Sequence, residues 1–310
     1  MRGQNRKCYN GILNHSCQNT RNGFLIFYNV LDHLVFFTTF CVEALSHNVQ
    51  VLELCQMPDH IHHSTIADSR RELYSFVRDY TSRFAKAQNV YCHRNGPLFN
   101  TPFKSVPKMG DKKARTNLIY VGNNPPERRL VKNAEDYQWG FLAYAKSDHP
   151  FSEKLVLSRS SKSLRRIIKE VDCFRASIQP LRYDILKKWF KSINRAEALQ
   201  LVDYIVTKYS VIDHDAAIRF FGSYEEMIVA MHSSTGSEYD LNEITVGKDD
   251  TYYQQITSLI KKRYGFADIH DVLRLSQEEK YELFEWLGTK TMALPEQIAK
   301  FLRMPFRRAK

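Results

Sequence analysis

The sequence predicts an α+β protein: a central antiparallel sheet of about four or five strands flanked by helices, followed by a mostly α-helical C-terminal domain. Three observations predict it. Residues 49–55 set polar Gln50 and Glu53 among apolar side chains, read as the alternation of a half-buried strand. Leu73, Phe76, Val77, Tyr80 and Phe84 recur at helical spacing on one face. From Tyr183 onward, long helical patterns displace the short extended runs.

In chain order, residues 1–22 are rich in Asn, Arg and Gln and are expected to form a flexible arm. Residues 23–29 read as a strand. Residues 34–46 mix strand-like Phe36-Phe37-Thr38-Thr39 with a helix-like continuation, and helix is preferred because residues 49–55 then supply the strand. Pro58 ends or bulges that strand, since proline donates nothing to a ladder. The next strand spans residues 60–66. Asp68-Ser69 caps a helix over residues 70–88. Asn95-Gly96-Pro97 is a turn, and residues 99–106 are extended. A helix from about Lys112 should stop near Asn124, because Pro125-Pro126 follows. Five basic residues and no acidic one between Ser158 and Lys169 suggest a basic linker within 151–180, between domains at 23–150 and 181–310.

The formal net charge of +11 favours a polyanionic partner, nucleic acid before a membrane surface. Six cysteines without C-x-x-C spacing argue for reduced thiols in a cytosol. The first 22 residues lack the apolar core of a secretory signal. The most apolar window, 24–45, is interrupted by Asn29, Asp32, His33 and Glu43, so no membrane span is expected.

The chemistry concentrates in Met57-Pro58-Asp59-His60-Ile61-His62, read with Tyr120 and Asn124. On a strand His60 and His62 point the same way, and the adjacent His63 faces the other side. Four residues apart on a helix, Tyr120 and Asn124 share a face; the other Tyr-x-x-x-Asn, Tyr91 to Asn95, runs into a turn. Such groups can hold a divalent cation against a phosphate while a phenol attacks it, which is DNA-strand-breaking chemistry. Two imidazoles on a strand and an aromatic in a core are the plainer alternatives, and H-x-H alone is common.

With Gly96-Pro97-Leu98-Phe99-Asn100, Phe103-Lys104-Ser105, Tyr120-Val121-Gly122-Asn123-Asn124-Pro125 and Asp136-Tyr137-Gln138-Trp139, the order and spacing resemble the single-tyrosine HUH transposases over roughly residues 23–145. Their REP-associated (RAYT) branch is the nearest in pattern. The resemblance implies an N-terminal HUH domain in which His60 and His62 bind Mg²⁺ or Mn²⁺, Asn124 completes the shell, and Tyr120 is the nucleophile. It further implies cleavage of single-stranded DNA beside a hairpin or repeat, a 5′-phosphotyrosine, a free 3′-hydroxyl, and strand joining without ATP, the chemistry of transposition and recombination on the nucleoid. Pro126-Glu127-Arg128-Arg129 stands where the family usually has an Ala-Gly turn, leaving Asn123 or Asn124 as the third ligand. A replication or conjugation nickase with the same chemistry, or a non-catalytic DNA-binding regulator, are the rival expectations. Monomer and homodimer both stay open.

Eight basic residues against two acidic ones lie between Lys104 and Lys132, and Lys104, Lys108, Lys112, Lys113, Arg115, Arg128 and Arg129 are the candidate DNA contacts. Tyr91, Phe99, Phe103 and Trp139 could stack bases or simply pack in a core. Asp213-His214-Asp215 and Asp249-Asp250 read as loop and cap positions. Ser276-Gln277-Glu278-Glu279 caps one helix, residues 294–302 form a second, and a third begins at Arg303, a helix-turn-helix-like pattern near 276–310.

Overall fold

The sheet is built on a strand that the hydrophobic pattern conceals. In the computed structural model, which describes residues 7–233 and 249–306, β1 (Asn14–Asn19) lies inside the sheet. It is flanked by β2 (Gln50–Met57), β3 (His60–Ile66) and β4 (Lys104–Pro107) in the order β2-β3-β1-β4, every pairing antiparallel. Residues 14–19, expected in a loose arm, are therefore a sheet strand. Their sequence, Asn-His-Ser-Cys-Gln-Asn, has no apolar alternation because its inward groups are polar and hydrogen-bonded rather than hydrophobic. Conversely, residues 24–29 form no strand: the Leu25 amide donates to the Lys300 carbonyl, and those of Ile26 and Phe27 donate to the Pro58 carbonyl.

Three N-terminal helices cover the sheet. α1 (Val30–Ser46) starts at a capping box between Asn29 and Asp32. It is buried on nearly every side from Leu31 to Ala44, which explains its mixed sequence signal. α2 (Arg70–Tyr91) packs Phe76, Tyr80 and Phe84 against α1. α3 (Asp111–Glu127) passes through Pro125 and Pro126 and ends three residues beyond Asn124. Each proline removes one helical bond, to the carbonyl of Val121 or Gly122, but only two such bonds are lost, and the Arg128 and Leu130 amides close the end on Asn124 and Pro125.

The rest is helical: α4 (Lys162–Ala176), α5 (Tyr183–Lys191), α6 (Arg195–Tyr209), α7 (His214–Arg219), α8 (Tyr224–His232), α9 (Tyr252–Tyr264), α10 (Gln277–Lys290) and α11 (Pro295–Leu302). The fold is thus a four-stranded antiparallel sheet flanked by helices and followed by a mostly helical region. Within the expected basic linker, α4 sets Leu164, Ile167, Ile168 and Val171 into a core shared with α1, α2, α5 and α6. Its basic residues are the solvent side of an amphipathic helix. No helix among the described residues is long and apolar enough to cross a membrane, and none of the six cysteines is in a disulfide.

The expected third helix does not start at Arg303, whose left-handed backbone (φ 51°) ends α11; residues 304–306 are not helical, and 307–308 lie outside the described residues. α11 buries Gln297, Ile298, Ala299, Phe301 and Leu302. It serves as a brace. Arg303 donates to the Leu25 carbonyl and the Gln88 amide oxygen, and Tyr28 donates to the Phe301 carbonyl.

A buried charge network ties the two halves. Asp32 accepts from the Tyr28 amide (2.8 Å), Tyr183 hydroxyl (2.6 Å), Gln88 Nε2 (3.0 Å) and His270 Nε2 (2.9 Å). His270 Nδ1 bonds Asp268 at 2.7 Å. Burial opposes charge on both groups, yet Asp32 and Asp268 lift His270 to about 9, and His270 with these donors keeps the Asp32 carboxyl below its ordinary value.

Candidate metal and tyrosine site

Strand register decides which side chains meet. His62 pairs across from Cys17 of β1 and Cys55 of β2, so the face carrying His60 and His62 also carries His15 and Cys17. α3 covers this face. His63 points to the opposite side, where Tyr80 and Thr65 reach its two nitrogens at 3.2 and 3.3 Å beneath α1 and α2.

His60 and His62 stand 4.9 Å apart, ring to ring and nearly perpendicular. Tyr120 presents its ring 5.8 Å from His62 and 5.7 Å from His15. His15 Nε2 lies 2.9 Å from His62 Nδ1, one ring donating and the other accepting. His60 and Tyr120 are each only 6% exposed. The two histidines and the tyrosine singled out in the sequence therefore come together, with a third histidine, His15, that was hidden in the supposed arm.

Asp59 settles the orientation of His60. Its Oδ1 lies 2.6 Å from His60 Nδ1, and Lys300 Nζ of α11 holds its Oδ2 at 2.7 Å. Burial opposes ionisation of Asp59, but the hydrogen bond and charge of His60 and the Lys300 ammonium hold its carboxyl far below the usual range. With Nδ1–H donated to a carboxylate, the lone pair sits on Nε2, a buried atom with no hydrogen-bond partner among the described residues. A carboxylate behind an imidazole is the arrangement that orients histidine metal ligands. Burial first, then the charges of neighbouring histidines and Arg128, keep His62 well below the ordinary histidine value, hence neutral and able to ligate. This donor set fits a divalent cation.

The two asparagines donate to different carbonyls. Asn123 donates to the Met231 carbonyl of α8 at 2.9 Å. Asn124 donates to the Tyr120 carbonyl at 2.9 Å, keeping it on the helical face of the phenol. Two groups missed by the sequence reading border this region. Asp250, set aside as a loop position, is 3% exposed, and its Oδ1 lies 3.9 Å from Arg128 Nη1. Burial, then the Asp59 charge, raise it to about 6 against the pull of Arg128. No spacing rule links residue 250 or 300 to residue 60, so only the fold could reveal Asp250 and Lys300.

The expected DNA-contacting residues scatter. Lys108 is 3% exposed and Arg128 is buried, so neither forms an open surface; Lys104 is half-buried. Arg115 is exposed, but its Nε donates to the Phe220 carbonyl. Lys112, Lys113 and Arg129 are exposed. The lysines open α3 and Arg129 follows its end, so about 25 Å of helix separates them. Charge counted along a chain does not report which face it falls on.

Glu43, His47 and Asp79 form another group able to hold an ion, their ligand atoms within 4.8 Å of one another among the described residues. Arg83 already sits 2.6 Å from Glu43, and Arg78 sits 2.7 Å from Asp79.

No protein-family model matches the chain, and no curated protein matches it. Among solved structures, a REP-associated tyrosine transposase bound to a REP hairpin aligns at 15% identity and TM-score 0.41, covering 52% of this chain and 98% of that one. At that distance the likeness carries no weight beyond itself, and the residue geometry stands alone.

Proposed function

We propose that the chain is a metal-dependent single-stranded DNA endonuclease and strand transferase, transposase-like in chemistry, with Tyr120 as nucleophile. The observation that carries this reading is the buried cluster in which Tyr120 packs edge-on to His62 and His15, beside a His60 whose Nε2 is left open by the Asp59–Lys300 pair. His60, His62 and the Asn124 amide oxygen would hold Mg²⁺ or Mn²⁺, which when bound supplies polarisation of the scissile phosphate and charge neutralisation at the leaving oxygen. The Tyr120 oxygen attacks phosphorus in line, the P–O3′ bond breaks, and a 5′-phosphotyrosine and a 3′-hydroxyl result. The phenol must shed its proton as it attacks, and His15 is an imidazole at hand that the cation does not require. Attack by another 3′-hydroxyl reverses the step and joins strands. Since Tyr120 is buried, a strand reaches it only when covering side chains such as Tyr137 and Leu130 withdraw.

The test uses 3′-labelled oligonucleotides, each a hairpin flanked by single strands, incubated with the protein and Mn²⁺ and run on a denaturing gel. Label migrating with the protein, and lost with EDTA, is the expected result. Protein that shifts these oligonucleotides on a native gel yet never becomes labelled is a DNA-binding regulator instead.

The cation site makes its own prediction. His60→Ala should abolish saturable Mn²⁺ dependence of adduct formation. Asp59→Asn, which removes the orienting charge and its ion pair with Lys300, should raise the half-saturating Mn²⁺ concentration by about 10- to 100-fold. Titrations that superimpose on the parent chain for both variants would exclude His60 as a ligand.

A further inference from the structure

A cavity of about 450 Å³ opens between the sheet domain and α6, α9 and α11. Its size is within the range of small-molecule sites. A ladder of rings lines it: Phe27 stacks on His33 at 4.4 Å and 11°, and His33 stacks on Trp139 at 4.2 Å and 1°. The ladder is uncharged, because burial lowers His33 to about 4, and its Nδ1 bonds the Gln56 amide oxygen at 2.8 Å. Arg195 and Gln254 also line the cavity; both are exposed, and neither makes a side-chain hydrogen bond or ion pair among the described residues. Pro58, two residues before His60, and Asp250 belong to the same lining, which puts the cavity next to the cation site.

We propose that this cavity takes one unpaired nucleobase of the bound single strand, stacked against Trp139, with Arg195 on the adjoining phosphate. The proposal rests on the reading of the chain as a single-strand DNA enzyme and adds where the strand is held. The chemistry of the lining selects the ligand. Flat neutral rings suit a π-face of any sequence, uncommitted amide and guanidinium groups suit base edges and a phosphate, and an aliphatic ligand would use none of these. The +11 net charge favours the same anionic partner.

The experiment scans 2-aminopurine through each single-stranded position of the hairpin oligonucleotides and reads its fluorescence with the Tyr120→Phe chain, so that no cleavage intervenes. One position should be quenched on binding. Trp139→Ala should release that quench and weaken binding by about 5- to 150-fold, the loss of one base stack. Arg195→Ala, at an exposed position that does not threaten folding, should lower the slope of log K against log salt by about 0.7, one phosphate contact on a single strand. Binding without a quenched position, or unchanged affinity and salt slope in Arg195→Ala, overturns the cavity proposal. The two readings fail separately. Covalent adducts with no quenched position sink the cavity alone, whereas a quenched position without adducts sinks the tyrosine chemistry alone.

Discussion

Tyr120→Phe is expected to abolish covalent joining to DNA while the chain folds and binds single strands as before. The substitution removes one oxygen and leaves the ring that packs with Cys55, Met57 and Val121, so its structural effect is small. Removing an enzymatic nucleophile, by contrast, costs on the order of 10⁶-fold, beyond the reach of a gel assay. The contrast between retained binding and absent adduct is what identifies a nucleophile rather than a packing residue. Tyr91→Phe is the control, because Tyr91 belongs to the other Tyr-x-x-x-Asn. Its hydroxyl bonds Asp268 and its ring stacks on Tyr183 at 4.2 Å, far from the histidine cluster in partners and purpose. That variant should lose stability and keep joining DNA. Undiminished nicking by Tyr120→Phe would exclude Tyr120 and leave the histidine cluster in need of another role.

The contrast between these two tyrosines shows what a sequence can carry. The strand at residues 60–66 and its two-residue period put His60 and His62 on one face and His63 on the other, and that is the observed arrangement. The helix over Tyr120 and the turn after Tyr91 likewise separate one tyrosine pair from the other, since both features are local. Residues 14–19 were illegible for a physical reason. A strand buried on both faces, with His15 and Cys17 on one and the hydrogen-bonded Asn14, Ser16 and Gln18 on the other, offers no hydrophobic alternation to read. The apolar run at 24–29 misled in the opposite sense: its side chains are buried, but its amides go to single carbonyls at Pro58 and Lys300 instead of a ladder. Burial and strand pairing are different properties, and hydropathy reports only the first.

The same limit explains the charges. Lys108 and Arg128 look like surface cations in a basic run, yet both are buried, and Arg128 lies beside Asp250 and near His62. Lys300, within the helix expected over residues 294–302, is the brace on Asp59. For Arg128 and Lys300 the partner is remote in sequence, so the pairing exists only once the helical region folds against the sheet.

His270→Gln and Asp32→Asn should each lower the free energy of unfolding by about 3–5 kcal/mol, the cost of leaving one member of a buried ion pair unpaired. Both groups are essentially unexposed, and each holds further partners, the buried Tyr183 and Gln88 on Asp32 and the partly buried Asp268 on His270. The pH dependence follows from the two directions of shift. His270 rises from 6.5 to about 9 on folding, so its contribution is complete below pH 6.5 and is lost as the pH climbs through about 9. Asp32 falls below 3.8 on folding, so its contribution is present above that pH and fades as acid protonates the folded carboxyl. Urea midpoints of the parent chain should therefore decline between pH 6.5 and 9, and in His270→Gln this alkaline decline should be much reduced. Parallel declines in the two proteins would show that His270 is not the group titrating. Because Tyr28 and Gln88 of the same region also hold Phe301 and Arg303, loosening this network should free α11 and with it the Lys300–Asp59 contact. His270→Gln should consequently raise the Mn²⁺ requirement for DNA joining without touching a ligand, an effect that a purely local core defect would not produce.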